Sequence, residues 1–150
     1  MKKLQKETYS AEETKALGEI LGQKAEADMV FLLDGDLGAG KTTLTQGIAR
    51  GLGISRHVTS PTFTIHKVYQ GRLVLHHIDA YRLEGISQDL GFDEVLEDGG
   101  LTVMEWSAFT PDLIPANYLR IAIRLKDDDN RVFEFEAHGE AYEKLLEEIA

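Results

Sequence analysis

The residues best suited to chemistry are consecutive: Gly35-Asp36-Leu37-Gly38-Ala39-Gly40-Lys41-Thr42. They match G-x-x-x-x-G-K-[ST] in full, and each position has a physical task. The glycines permit a tight turn in which successive backbone N–H groups point inward at phosphate oxygens. Lys41 brings a positive charge within reach of β- and γ-phosphates, and the Thr42 hydroxyl can give one oxygen to Mg²⁺. The chemistry such a segment supports is the grip on a polyphosphate.

That grip needs a rigid frame, and the flanking sequence supplies one. Met29-Val30-Phe31-Leu32-Leu33 is a continuous apolar run, suited to a strand covered on both faces. From Lys41 onward, Leu44, Ile48 and Leu52 fall on one helical face, and Gly51 and Gly53 close the helix. Its N-terminus, with about half a positive charge, would aim at the same phosphates. A nucleoside triphosphate carries Mg²⁺, whose second protein ligand commonly comes from an acid at the end of a buried strand. Two acids qualify: Asp79 ends Leu73–Ile78, and Glu105 ends Leu101–Met104. Ligands of open α/β sheets sit outside the carboxyl ends of the strands, so both carboxylates can face the phosphates. The Asn-Lys-x-Asp segment that pairs with guanine is absent, which favours adenine.

Two other features read as structure rather than chemistry. His76 and His77 are neighbours in a strand, so they point to opposite faces, and no third ligand has useful spacing for a metal. Trp106, beside Glu105, reads as core packing.

The remaining chain alternates helices and strands. Ser10-Ala11-Glu12-Glu13 fits a capping box, after which Leu17, Ile20 and Leu21 form an apolar stripe to about Ala25. Thr64–Tyr69 and Arg72–Ile78 read as a hairpin around Gln70-Gly71, and Phe92–Leu96 as a short helix ended by Gly99-Gly100. Tyr118–Leu125 and Arg131–Phe135 alternate around Asp127-Asp128-Asp129-Asn130, a second hairpin, and an acidic helix spans Gly139–Ala150. There is no repeat, low-complexity stretch or linker, so residues 1–150 read as a single α/β domain.

Composition bounds the function. An apolar fraction of 43% excludes a disordered tail, and no run of about 18 apolar residues is present to span a membrane. The charged opening, Met1 to Glu7, lacks the apolar stretch of a secretory signal. Absence of cysteine removes disulfides, thiolate zinc sites and cysteine nucleophiles, and is compatible with the cytoplasm. A net charge of −10 argues against unaided nucleic-acid binding. Within residues 41–82, however, Lys41, Arg50, Arg56, Lys67, Arg72 and Arg82 face Asp79 alone, which suggests a face that handles anions.

In order along the chain come Gly35 to Thr43, Ser60-Pro61-Thr62-Phe63, His77-Ile78-Asp79-Ala80-Tyr81-Arg82-Leu83 and Glu105-Trp106. Together they resemble the TsaE family, small ATPases of bacterial tRNA threonylcarbamoyladenosine biosynthesis. The likeness runs from about Ser10 to Arg131. It implies a P-loop NTPase fold: a parallel core sheet with added antiparallel strands and helices on both faces. It implies that Lys41 and the amides of Gly38, Ala39, Gly40, Thr42 and Thr43 hold ATP, with Thr42 and Glu105 binding Mg²⁺. Asp79 would lie in the outer metal shell and support hydrolysis, and Thr62, stiffened by Pro61, would sense the γ-phosphate. Thr14 and Arg131 match positions near the nucleotide, and Trp106 one that relatives need for activity. Tyr is common among relatives where Phe63 stands, a change that keeps the ring. The family's partners are the threonylcarbamoyl-transferase subunit and its non-catalytic paralogue, of TsaD and TsaB type. ATP hydrolysis there permits repeated rounds of modification. The basic middle segment would then meet an acidic partner or tRNA phosphate.

The reading is Mg²⁺-dependent ATP hydrolysis, slow without partners, with Arg82 as the internal candidate for an arginine finger. A small-molecule kinase is the first alternative, but no Arg-rich lid insert appears between the strands. A nucleotide-sensing assembly module without hydrolysis is the second, and Thr42, Asp79 and Glu105 argue against it.

Overall fold

The structure is a computed structural model that describes residues 1–35, 40–55, 58, 66–79, 98–105, 114–127 and 130–150. Its elements are β1 (Lys2–Thr8), α1 (Ala11–Lys24), β2 (Val30–Asp34), α2 (Lys41–Gly51), β3 (His66–Tyr69), β4 (Leu75–Asp79), β5 (Leu101–Glu105), β6 (Tyr118–Asp127), β7 (Asn130–His138) and α3 (Glu140–Ile149). The helix expected over Phe92–Leu96 lies outside the described residues.

Strand β2 sits at the middle of a seven-stranded sheet of order β1-β7-β6-β2-β5-β4-β3. It pairs in parallel with β5 and β6, and β5 pairs in parallel with β4. Both edges are antiparallel: β3 on β4, and β7 and β1 beyond β6. This is the P-loop arrangement of a parallel core with antiparallel additions. The apolar run before Gly35 became β2 because Val30 to Leu33 are all buried, as a central strand requires.

One face of the sheet carries Phe31, Leu33, Leu75, Leu101, Val103, Ile121, Phe133 and Phe135, and α1, α2 and α3 pack over it. The other face presents Val30, Leu32, Ile78 and Met104, which are buried as well. Helix α1 starts as its sequence demands: the Ser10 hydroxyl accepts the Glu13 N–H at 3.1 Å. The Glu13 carboxylate reaches back one residue further than a capping box predicts, taking the N–H of Tyr9 at 3.3 Å. At the far end, the Arg72 guanidinium donates to the carbonyls of Gly22 and Ala25, both at 2.8 Å. Those are groups a helix C-terminus leaves unpaired. Arg72 thus belongs to the fold, not to an anion-binding face.

Helices α1 and α2 touch through backbone. A methyl group on Gly22 would lie 2.1 Å from the Ile48 carbonyl oxygen, and one on Gly47 would lie 2.3 Å from that of Lys15. Small residues four apart on each helix, Gly18 with Gly22 and Gly47 with Gly51, create this close approach. The consequence is positional: α2, whose first residue is Lys41, is clamped against α1 with no side-chain layer between them.

Strand β1 is an addition to the expected architecture. The opening segment is charged, and Leu4, opposite Phe135, is its one large apolar side chain turned inward. Lys2, Lys3 and Lys6 mark it as a protected edge strand, a use of charge that hides the strand's apolar signal.

Candidate functional site

Three chain segments converge where α2 begins: the end of β2, the end of β4 and the end of β5. Gly40, at φ +112°, is in a conformation that side chains resist, and α2 starts immediately after it without a side-chain cap. The first turn of α2 therefore has backbone N–H groups that no side chain caps, the arrangement that favours an anion.

Lys41 does not project into water. Its side chain is 5% exposed, and its ammonium donates to the Gly35 carbonyl at 2.8 Å and stands 3.9 Å from Glu105 Oε1. Glu105 is equally buried, at the last position of β5. Its other oxygen, Oε2, lies 2.5 Å from His77 Nε2. Asp79, at the end of β4, is the register partner of Glu105 across the parallel pair, so the two carboxylates neighbour each other on one face. Behind the loop, Asp34 is held by an ion pair to Arg120 of β6, which lies over the Tyr118 ring.

A second cluster adjoins the first. Ala11, Thr14, Gly40, Thr43 and Arg131 line a small cavity of about 40 Å³. Thr14 is buried, its hydroxyl 2.7 Å from that of Thr8. Thr8 in turn opposes Arg131 across β1–β7, so the edge strand stands behind two of the lining residues, Thr14 and Arg131. The Arg131 side chain lies along Gly40.

Of the residues singled out by sequence, Lys41, Asp79 and Glu105 come together, and Thr42 follows Lys41 in the first turn of α2. Thr14, Gly40, Thr43 and Arg131 form the adjoining cavity. Gly38, Ala39, Thr62, Arg82 and Trp106 lie outside the described residues. The basic segment is not one free surface: Lys41 is buried, Arg72 binds α1, and Arg50 stands 3.8 Å from Glu19.

The two neighbouring histidines point to opposite faces, as strand geometry requires, and each has found a carboxylate. His77 meets Glu105; His76 meets Asp98 at 2.6 Å and His66 at 2.9 Å. Burial holds the His66 pKa below its ordinary value, with the His76 ring acting in the same direction and Asp98 opposing. Sequence reasoning gives neither histidine a metal role and does not show the carboxylate each one meets. The missed signal was simple: His77 precedes Asp79 by two, so it shares the face of the site.

An oxygen donor set suits Mg²⁺. Glu105 could supply a carboxylate and Thr42 a hydroxyl, both hard ligands, with Asp79 the register neighbour of Glu105.

Comparison with known proteins bears on family and fold. The family model described as "Threonylcarbamoyl adenosine biosynthesis protein TsaE" matches residues 8–133. A tRNA threonylcarbamoyladenosine biosynthesis protein TsaE of Bacillus subtilis (strain 168) is 46% identical over 151 residues, covering 100% of this chain and 96% of the relative. The TsaE protein of Treponema pallidum (strain Nichols) is 40% identical over 124 residues, covering 81% of this chain and 92% of its own. Among solved structures, a crystal structure of Bacillus subtilis YdiB superposes with a TM-score of 0.86 at 41% identity, covering 99% of this chain and 94% of that one. A family model that matches residues 8–133 and a relative 46% identical over the whole chain converge on a single assignment: this chain belongs to the TsaE family.

Proposed function

We propose that the chain is a Mg²⁺-dependent ATPase that supports N6-threonylcarbamoyladenosine modification of tRNA. It would bind the threonylcarbamoyl-transferase subunit and its paralogue, of TsaD and TsaB type, and hydrolyse ATP to permit successive turnovers. Contact with tRNA belongs to that complex, and the cytoplasm is the compartment that fits it. Among the described residues, no helix is long and apolar enough to cross a membrane.

The observation that carries this reading is the burial of Lys41 and Glu105 together at the start of α2. Two opposite charges removed from water are costly, and well-packed apolar residues would often serve stability better. A pair kept at the mouth of a phosphate loop has a functional explanation.

Each residue then has a task. The Lys41 ammonium rests on the Gly35 carbonyl. On binding, it would exchange that neutral partner for the β- and γ-phosphates, and the N–H groups at the head of α2 would complete the cradle. Thr42 and Glu105 would hold Mg²⁺, which neutralises phosphate charge as the β–γ bond opens. Asp79, beside Glu105, would orient water in the outer shell. Thr14, Thr43 and Arg131 would line the nucleoside side of the site. Thr62 would sense the γ-phosphate.

The test is Lys41→Ala. Loss of a charge-assisted contact of about 2–3 kcal/mol weakens nucleotide binding by a factor of roughly 30–150. Calorimetry should show that loss, and tRNA from cells carrying the variant should lack the modification. Full modification supported by Lys41→Ala would overturn the proposal.

A further inference from the structure

We infer that His77 is a positioning residue that fixes the Glu105 carboxylate for the metal, an inference that rests on the ATPase reading above. The two oxygens of Glu105 are divided between two partners: Oε2 is 2.5 Å from His77 Nε2, and Oε1 faces the Lys41 ammonium at 3.9 Å. A carboxylate only accepts hydrogen bonds, so Nε2 carries the proton and donates. That short contact removes the freedom of the carboxylate to rotate and leaves Oε1 turned toward the head of α2.

Packing alone does not account for an imidazole here. His77 is 0% exposed, its neighbour across the ladder is Val103, and Leu75 precedes it on the same face. A branched aliphatic residue would suit that layer. Instead, His77 Nδ1 is buried without a hydrogen-bond partner, the one such side-chain atom among the described residues. Leaving a buried polar atom unpaired is unfavourable. The compensating gain lies at the other nitrogen, on Glu105.

The arrangement matters because the other partner of Glu105 is mobile in its role. When Lys41 turns to phosphate, Glu105 loses the nearby ammonium, and His77 is the partner among the described residues that keeps Oε1 aimed at the site. Outer-shell partners of this kind, which hold a metal-binding side chain in place, change metal affinity by about 10–100-fold when removed.

The experiment uses Mn²⁺ as a spectroscopic substitute, with electron paramagnetic resonance reading its binding to the full chain in the presence of ADP. Three variants are compared with wild type. His77→Gln places an amide N–H where Nε2 was; His77→Asn is too short to do so; His77→Leu fills the space without a donor. Mn²⁺ affinity should fall about 10–100-fold in the Asn and Leu variants and by no more than about threefold in the Gln variant. ADP affinity measured in EDTA should be unchanged in all three. Wild-type Mn²⁺ affinity in the folded Leu variant would overturn the inference. Should the Leu variant not fold, equal affinities for Gln and Asn would do the same. A wild-type protein that takes up no Mn²⁺ with ADP would sink the ATPase reading itself, and this inference with it. Failure confined to the variant comparison would leave the ATPase reading standing.

Discussion

The two ends of the sheet handle charge in opposite ways. Where β2, β4 and β5 finish, Lys41, His77 and Glu105 sit in contact and out of water, none more than 5% exposed. Along the antiparallel edge, charges pair in solvent: Arg124 with Glu134 at 2.8 Å, Lys126 with Glu7 at 3.1 Å, and Lys2 with Glu147 at 3.0 Å. Exposed pairs of that kind contribute about 0–1 kcal/mol and can be exchanged freely. Buried ones cannot lose a member without leaving the other stranded. The contrast separates charge that keeps an edge strand from aggregating from charge that, on the proposed function, is held for a ligand.

Glu105→Ala should break this contrast most severely. It strands both Lys41 and His77, and urea unfolding should show a loss of about 3–5 kcal/mol. Metal-dependent nucleotide binding should disappear in the same variant.

Gly47→Ala tests how the buried end is positioned. A methyl group 2.3 Å from the Lys15 carbonyl oxygen forces α2 away from α1. The expected destabilisation is about 1–3 kcal/mol by thermal unfolding, typical of overpacking. Because α2 carries Lys41, nucleotide affinity should weaken too, and an unchanged melting temperature would refute the tight helix contact.

Arg124→Ala sharpens the other side of the comparison. Its pair is half in solvent, so stability should change by less than about 1 kcal/mol, and nucleotide binding should not move.

The smallest effect concerns His66, on the face opposite the site. Burial lowers its pKa in the folded chain below the ordinary 6.5. As pH falls below that ordinary value, the unfolded chain takes up a proton that the folded one resists. The contribution of His66 to stability is thus present above pH 6.5 and is lost as pH falls through the lowered folded value. Comparing melting temperatures at pH 7.5 and 5.5, wild type should lose slightly more than His66→Gln.

Much of this architecture is legible without coordinates, and the reasons are local. A run such as Met29 to Leu33 can be satisfied only by burial on both faces, and the alternation from Tyr118 to Phe135 only by a half-exposed hairpin. Positions 35–42 carry the expectation of a phosphate grip through residue type and spacing alone, and that expectation stands as part of the proposed function. What escapes is whatever depends on a distant partner. Arg72 reads as a basic surface residue because nothing near it in sequence reveals the α1 carbonyls it binds, some 50 residues away. The lysines of β1 conceal a strand whose partner, β7, lies at the other end of the chain. The glycines of α1 and α2 read as weak helix formers until the two helices are set side by side. His77 was visible as a strand residue, but its importance rests on Glu105, 28 positions later.

The most direct measurement is titration calorimetry of the folded chain with ATP, with and without Mg²⁺. A saturable heat at one nucleotide per chain, tightened by Mg²⁺ and weakened roughly 30–150-fold by Lys41→Ala, is the expected result. A folded protein that yields no heat with ATP and Mg²⁺ would contradict the assignment of residues 35–42 as a polyphosphate grip.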